Sequence, residues 1–162
     1  MDANVLIAGV LMPRWPYEVL RAALNGYYDL VLPRQVIEEA ARHLEHPAQA
    51  TALQMFLQGS GCQLLEMPDP DLVRQELDLV RSERDVPIAL ALLRAGVDIF
   101  VTNDRDFTDP GGATARFHAI VRVMLPAIFL RDVLGWSSDA LDAVRSRLWD
   151  DLVEPEPDNP DG

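Results

Sequence analysis

Cysteine and histidine are scarce in this chain, and lysine is absent. Cys62 is the one cysteine in 162 residues. It excludes an intramolecular disulfide and a cysteine zinc cluster, and a small buried hydrophobic side chain is its default role. The three histidines, His43, His46 and His118, lack the spacing of a zinc site. All 14 basic residues are arginine, a side chain that suits phosphate contacts.

Long apolar runs and glycine-rich loops are also missing. No segment has the length and hydropathy of a membrane span and no charged-then-apolar leader opens the sequence, so we expect a cytoplasmic protein that does not bind membranes. Gly111-Gly112 is an isolated pair and does not form a P-loop. The net charge of −12 opposes non-specific binding to nucleic acid. If the substrate is a nucleic acid, metal ions or a local arginine patch must overcome that charge.

Short apolar segments alternate with amphipathic ones, which predicts an α/β domain whose mostly parallel central sheet is flanked by helices. The length suits one domain over residues 1–152, followed by an acidic, disordered tail at 153–162. The predicted strands are 30–32, 63–66, 99–101 and 119–124, and the predicted helices are 17–25, 33–46, 48–58, 71–83, 86–95, 126–134 and an extra C-terminal helix at 137–152.

The stretch 84–107 carries most of the potential chemistry. Asp85 precedes a helix that is apolar around nearly its whole circumference, with Pro87 in its first turn and Gly96 as its stop. Thr102-Asn103-Asp104 follows the buried strand 99–101. In open α/β sheets ligands bind at the carboxyl ends of the strands, so Asp85 and Asp104 can converge there. The alternative is that Asp85 is only a helix N-cap and Asp104 only a turn residue.

Four segments occur in an order and spacing that resemble the PIN domain family, the ribonuclease fold of many bacterial toxins. They are Asp2 to Ile7, Leu30 to Leu44 with its Glu38-Glu39 pair, Arg84-Asp85 with its apolar helix, and Thr102 to Phe107. The resemblance covers about residues 1–131 and is greatest to the subgroup of toxin components. It implies a three-layer PIN-like fold with a mostly parallel central sheet.

The resemblance implies a metal-dependent endoribonuclease, the toxin of a toxin–antitoxin pair. Its catalytic acids would be Asp2, Glu39, Asp85 and Asp104, of which Asp2, Asp85 and Asp104 bind metal, with Asn4, Thr102 and Asp106 as auxiliary residues. Elementary electrostatics agrees, because two like charges 4 Å apart cost about 4 kcal/mol at an effective dielectric of 20. Divalent cations relieve that repulsion, and all-oxygen ligands select Mg²⁺ or Mn²⁺ over zinc.

Helical periodicity does not choose between Glu38 and Glu39, which lie on opposite edges of the apolar arc of their helix. Glu39 is preferred because its position after Pro33 and before Leu44 matches the spacing in the family. For Glu38 we expect a solvated place on the helix surface.

The N-terminus departs from the family pattern. In PIN domains the first acid ends the first parallel strand, whose apolar residues precede it, whereas only Met1 precedes Asp2. Either the true start lies a few codons upstream or the core is built without that strand. The second possibility would open a gap in the sheet and perturb Asp2.

Other functions stay open. The chain could be a PIN-like scaffold that binds RNA or a protein without cleavage, or an unrelated α/β module that binds a nucleotide or phosphate. The expected partners are an RNA substrate, an antitoxin protein and a second copy in a homodimer. Helices 17–25 and 48–58 offer the apolar surface for assembly, unless their large side chains are ordinary core: Tyr17, Leu20, Leu53, Met55, Phe56 and Leu57.

Overall fold

The fold is described by a computed structural model covering residues 1–152. The helices are α1 (Ala3–Leu11), α2 (Trp15–Leu24), α3 (Arg34–His43), α4 (Pro47–Gly59), α5 (Pro70–Gln75), α6 (Val86–Arg94), α7 (Arg105–Thr108), α8 (Ala115–His118), α9 (Pro126–Asp132) and α10 (Ser138–Val144). The strands are β1 (Val31–Pro33), β2 (Gln63–Leu65), β3 (Ile99–Val101) and β4 (Arg122–Met124), and 3₁₀ turns span Gly112–Thr114 and Trp149–Leu152.

The strands form two parallel pairs. In one pair Leu32 of β1 lies opposite Leu64 of β2, and in the other Phe100 of β3 lies opposite Val123 of β4. This confirms a mixed α/β fold with parallel strands. The expected single central sheet is not formed within residues 1–152, because β1 and β3 are not hydrogen-bonded to each other.

The chain enters its first helix directly after Asp2. α1 packs against α2, α3 and α4, and α2 continues the layer to α9. The contact between α1 and α2 requires a glycine, because a Cβ atom on Gly9 would lie only 2.4 Å from Leu20 Cδ1. The N-terminal segment contributes α1 and the buried side chain of Met1 to the core.

The second strand pair is anchored by three phenylalanines. Phe100 of β3 packs edge to face against Phe107, with ring centroids 4.9 Å apart, and Phe117 lies 5.7 Å from Phe107. All three are fully buried. This packing fixes the chain that follows β3, which carries Thr102, Asp104 and Asp106.

Most predicted elements lie within a few residues of the observed ones, but one predicted helix and one predicted strand are clearly shorter in the structure. The predicted helix 71–83 ends at Gln75, because the chain unwinds to place the adjacent residues Leu79 and Val80 both in the core. The predicted strand at 119–124 begins only at Arg122, after the helical turn of α8.

The C-terminal helix is also shorter than predicted. α10 ends at Val144, and Leu148 and Trp149, which belong to the predicted helix 137–152, lie beyond its end and are 59% and 44% exposed. The break lets the Arg147 guanidinium reach Pro13 O at 2.6 Å and the Glu18 carboxylate. The predicted disordered tail at 153–162 lies outside the described residues.

The structure also bears on the cysteine and on the expected absence of a membrane span. Cys62 is partly buried and packs against the core. No helix in residues 1–152 is long and apolar enough to cross a bilayer.

Candidate functional site

Asp2, Thr102 and Asp104 form a chain of hydrogen bonds at the carboxyl end of β3. The Thr102 hydroxyl donates to Asp2 Oδ2 at 2.8 Å and accepts from the Asp104 amide at 2.9 Å. The Asp2 amide in turn donates to the Val101 carbonyl at 3.0 Å. Burial raises the pKa of the Asp2 carboxyl, the Thr102 hydroxyl and the Ala3 amide oppose that shift, and the charge of Asp104 adds to it.

Asp104 also caps the short helix α7, because its Oδ1 accepts from the Asp106 amide at 2.8 Å. The turn role considered for Asp104 is therefore confirmed as a structural role. It uses one of the two carboxylate oxygens, so this bond leaves Oδ2 to face the neighbouring acids.

Asp85 occupies the N-cap position of α6, but its side chain makes no capping hydrogen bond to that helix. The alternative in which Asp85 serves only as a cap is therefore weakened. Its pKa is raised to about 6, first by burial and then by the charges of Asp104, Asp2 and Glu39, while a hydrogen bond with Ser82 opposes the shift. Three acids from three distant parts of the sequence thus act on one carboxyl group.

The two glutamates of α3 lie in different environments. Glu39 is half-buried and its charge acts on Asp85, whereas Glu38 is exposed and its charge acts on Arg34 at the surface. α3 is tied to the loop before α6 by Gln35, whose Nε2 donates to the Arg84 carbonyl at 3.0 Å. Sequence reasoning missed Gln35, which stands one helical turn before Glu39 and fixes the residue next to Asp85.

The auxiliary residues lie at the edge of the cluster. Asn4 is exposed and its Nδ2 approaches Asp2 Oδ2 at 3.4 Å. Asp106 is half-buried, and Arg81 Nη1 lies 3.8 Å from its Oδ1 while also pairing with Asp109 at 2.5 Å. Arg81 is the second residue that the sequence did not reveal, since only the folded chain brings it beside Asp106.

Two properties of the acids decide whether they can bind a divalent cation: their donor atoms and the spacing between them. The oxygen ligands of Asp2, Asp85 and Asp104 have the chemistry that Mg²⁺ and Mn²⁺ prefer. Among residues 1–152, however, no three Asp, Glu, His or Cys side chains are grouped closely enough to hold one ion. Mg²⁺ commonly binds through one or two carboxylates together with water and substrate phosphate, and the acids fit that mode.

The Met1 amino group is a further charged group that the sequence did not indicate. It is fully buried beside Asp2, and burial lowers its pKa to about 5 while the charge of Asp2 opposes the shift.

The apolar side chains expected to mediate assembly are mostly core. Leu20, Leu53 and Phe56 are buried, and Met55 is 66% exposed. Met55 lines an apolar groove of about 420 Å³ with Leu24 and Trp149. Of the apolar surface predicted to mediate assembly, this groove is the part that remains as a possible interface.

Comparison with known proteins adds no assignment: no family model, no curated protein and no solved structure matches this chain.

Proposed function

We propose that this protein is a metal-dependent endoribonuclease of PIN-like, three-layer architecture that hydrolyses RNA phosphodiester bonds. The observation that carries the proposal is the chain of hydrogen bonds by which Thr102 links Asp2 to Asp104 at the carboxyl end of β3. The pKa of the Asp85 carboxyl agrees with it, since burial and then the charges of Asp104, Asp2 and Glu39 raise that pKa. A structural N-cap or turn acid needs no such neighbours, because like charges gathered in one place destabilise the fold unless a cation or substrate uses them.

When bound, Mg²⁺ or Mn²⁺ supplies Lewis-acid chemistry: it activates water and stabilises the charge of an in-line displacement at phosphorus. One or two carboxylates from among Asp2, Asp85 and Asp104 would hold it, together with water and substrate phosphate. Thr102 holds Asp2 and the Asp104 backbone in fixed relation, and Gln35 fixes the position of Asp85 through the Arg84 carbonyl. Glu39 is half-buried on α3, and its carboxylate adds a fourth negative charge that acts on Asp85.

The direct test is RNA cleavage with Mg²⁺ or Mn²⁺ by the wild type, by Asp85→Asn and by the matched surface control Asp142→Asn on α10. We expect Asp85→Asn to lose cleavage while its circular dichroism stays native, and Asp142→Asn to cleave like the wild type. Equal cleavage by the wild type and Asp85→Asn would refute the site. Loss of the fold in Asp85→Asn would instead support the N-cap role of this residue.

A second candidate is a PIN-like scaffold that binds RNA or a protein without cleaving it. The specific observation in its favour is that no three acids in residues 1–152 are grouped around one ion position. Retention of RNA by the wild type on a filter, unchanged by EDTA and without cleavage products at any metal concentration, would favour the scaffold.

The toxin role is part of the proposal and rests on the resemblance to the toxins of the PIN domain family. An antitoxin could inhibit by placing a cationic side chain among Asp2, Asp85 and Asp104, and the net charge of −12 attracts a basic partner. Co-expression with the product of the neighbouring open reading frame, followed by pull-down with wild type and Asp85→Asn, tests this half of the proposal.

Homodimerisation is proposed through the groove of Leu24, Met55 and Trp149. Light scattering at micromolar concentration would show twice the 18.1 kDa mass of the chain for a stable dimer. A monomer at that concentration would refute it.

A further inference from the structure

Arg81 is an arginine that the fold brings to the edge of the acid cluster. Its Nη1 lies 3.8 Å from Asp106 Oδ1, and its Nη2 donates to Asp109 Oδ2. The Asp106 amide in turn donates to Asp104 Oδ1 at 2.8 Å, so a single residue links the guanidinium to Asp104. Within residues 1–152 no arginine forms an ion pair with the four proposed catalytic acids themselves. The fold thus places a positive charge at the border of the cluster without pairing it to those acids.

The position of Arg81 is fixed from both sides. The two residues before it, Leu79 and Val80, are buried in the core. The guanidinium is held by Asp109, which is itself held because its Oδ1 accepts from the Gly111 amide at 3.0 Å. A guanidinium that is already held in place loses little conformational entropy when it binds a ligand.

Most of the hydrogen-bond donors of Arg81 are available to a ligand. A guanidinium carries five N–H donors. Among the described residues its one hydrogen bond goes to Asp109, and the side chain is 54% exposed. The remaining donors can form the bidentate contacts that guanidinium groups make with phosphate.

Two further arginines adjoin the proposed metal-binding acids. Arg84 precedes Asp85 and Arg105 follows Asp104, so the Cα atoms of each arginine and its neighbouring acid are about 3.8 Å apart. Both arginines are exposed, and neither forms an ion pair with another residue in 1–152. We call Arg81, Arg84 and Arg105 the arginine rim.

We propose that the arginine rim binds the RNA phosphates that flank the cleaved bond, with Arg81 as its fixed contact. This inference rests on the proposed nuclease function, because the acids and their metal place the RNA strand. A chain with a net charge of −12 repels a polyanion, and a metal ion offsets that repulsion only at the phosphate it binds. The arginine rim offsets it at the flanking phosphates and holds the strand in register without reading its bases.

A comparison of Arg81→Met with Asp109→Asn separates a phosphate contact from a link between two loops. If Arg81 only ties the loops together, both substitutions remove the same ion pair and should change RNA binding and the thermal midpoint alike. If Arg81 binds phosphate, Arg81→Met should weaken RNA binding roughly five-fold. Asp109→Asn keeps the guanidinium and removes a negative charge, so it should bind RNA as tightly as the wild type or more tightly.

The matched control is Arg94→Met. Arg94 is also an exposed arginine, but it lies at the opposite end of α6. Nine residues of helix separate it from Asp85, which is roughly 13 Å along the axis. Arg94→Met should therefore bind and cleave RNA like the wild type.

Fluorescence anisotropy of a short, labelled, single-stranded RNA in EDTA measures binding without metal-dependent cleavage. For Arg81→Met the slope of log binding constant against log salt should be shallower by about 0.7, the value for one lost phosphate contact. Arg81→Lys keeps the charge and should keep the slope of the wild type, with part of the affinity lost. In Mg²⁺, Arg81→Met should raise KM and retain kcat, since a flanking phosphate is bound equally in the ground state and the transition state.

The outcomes distinguish this inference from the proposed function. Cleavage by the wild type together with equal RNA binding by the wild type and Arg81→Met would overturn the phosphate contact and leave the nuclease standing. Equal losses in Arg81→Met and Asp109→Asn would do the same. Binding that depends on Arg81, without cleavage at any metal concentration, would overturn the nuclease and keep the contact. A folded wild type that neither binds nor cleaves RNA would overturn both.

Discussion

The hydroxyl of Thr102 donates a 2.8 Å hydrogen bond to Asp2 Oδ2 across 100 residues of sequence. Both side chains are buried, and the same hydroxyl accepts from the Asp104 amide. Thr102, at the end of β3, therefore fixes Asp2 close to Asp104. Its exchange should affect stability and site together.

Thr102→Val keeps the shape of the side chain and removes the hydroxyl. It leaves a buried carboxylate oxygen of Asp2 and the Asp104 amide without their partner, so we expect a loss of roughly 1–3 kcal/mol in the free energy of unfolding. Urea denaturation of wild type, Thr102→Val and Thr102→Ser measures this. Thr102→Ser should stay near the wild type, and a Val variant of wild-type stability would show that water replaces the hydroxyl.

The stability of the metal-free protein should depend on pH through Asp85. Its folded pKa of about 6 lies above the ordinary value of 3.8, so the folded state binds the proton more tightly than the unfolded state. The free energy of unfolding therefore falls as pH rises from about 4 to about 6. In EDTA, Asp85→Asn should match the wild type below pH 4 and exceed it at pH 7. A difference that does not change with pH would contradict the raised pKa.

The Met1 amino group gives the opposite slope. Its pKa falls from 8.0 to about 5 on folding, so the unfolded state binds more protons and stability rises between pH 5 and pH 8. Because the chain has no lysine, acetylation in denaturant followed by refolding modifies this amine alone. The difference in unfolding free energy between the acetylated and the unmodified chain should grow in favour of the acetylated chain by roughly 3 kcal/mol as the pH falls from 8 to 5. A constant difference over that range would mean that the amine is solvated.

The Glu18 carboxylate should be the main polar anchor of the C-terminal segment. It is 1% exposed, pairs with Arg147, and lies 2.8 Å from the half-exposed Arg21. Arg147→Met leaves a buried charge with one partner at the surface, and we expect a loss of about 3 kcal/mol in unfolding free energy. The exposed control Arg145→Met should lose less than about 0.5 kcal/mol. A similar effect of both substitutions would show that only general charge matters.

Gln35 should act as a positioning residue for Asp85. Gln35→Leu removes the 3.0 Å bond to the Arg84 carbonyl at an exposed position, so stability should change by less than about 1 kcal/mol. If the bond fixes Asp85 near Glu39, the pKa of Asp85, followed by carboxyl NMR, should move towards its ordinary value. The variant Gln35→Met, which cannot donate and adds no charge, should behave like Gln35→Leu, and an unchanged Asp85 pKa in both would refute the role.

Local sequence patterns are enough to predict the elements that carry the site. The apolar run 99–101 with Thr102 and Asp104 after it, and the helix from Val86 to the positive-φ Gly96, follow from local periodicity and turn chemistry. The order of strands and helices likewise determined the parallel α/β class. Pattern alone could not choose between Glu38 and Glu39, because both stand at the edge of the same apolar arc.

Tertiary structure decided what those elements meet. It directs Glu39 towards Asp85 and Glu38 towards Arg34, brings Arg81 to Asp106, and ends the 71–83 helix early so that Leu79 and Val80 both reach the core. It also divides the strands into two separate pairs. In residues 1–152 no strand lies between β1 and β3 and forms hydrogen bonds with both, so the two pairs do not join into one sheet. Contacts between residues that are far apart in the sequence depend on how the helices and strands pack together. A local sequence pattern does not contain that information.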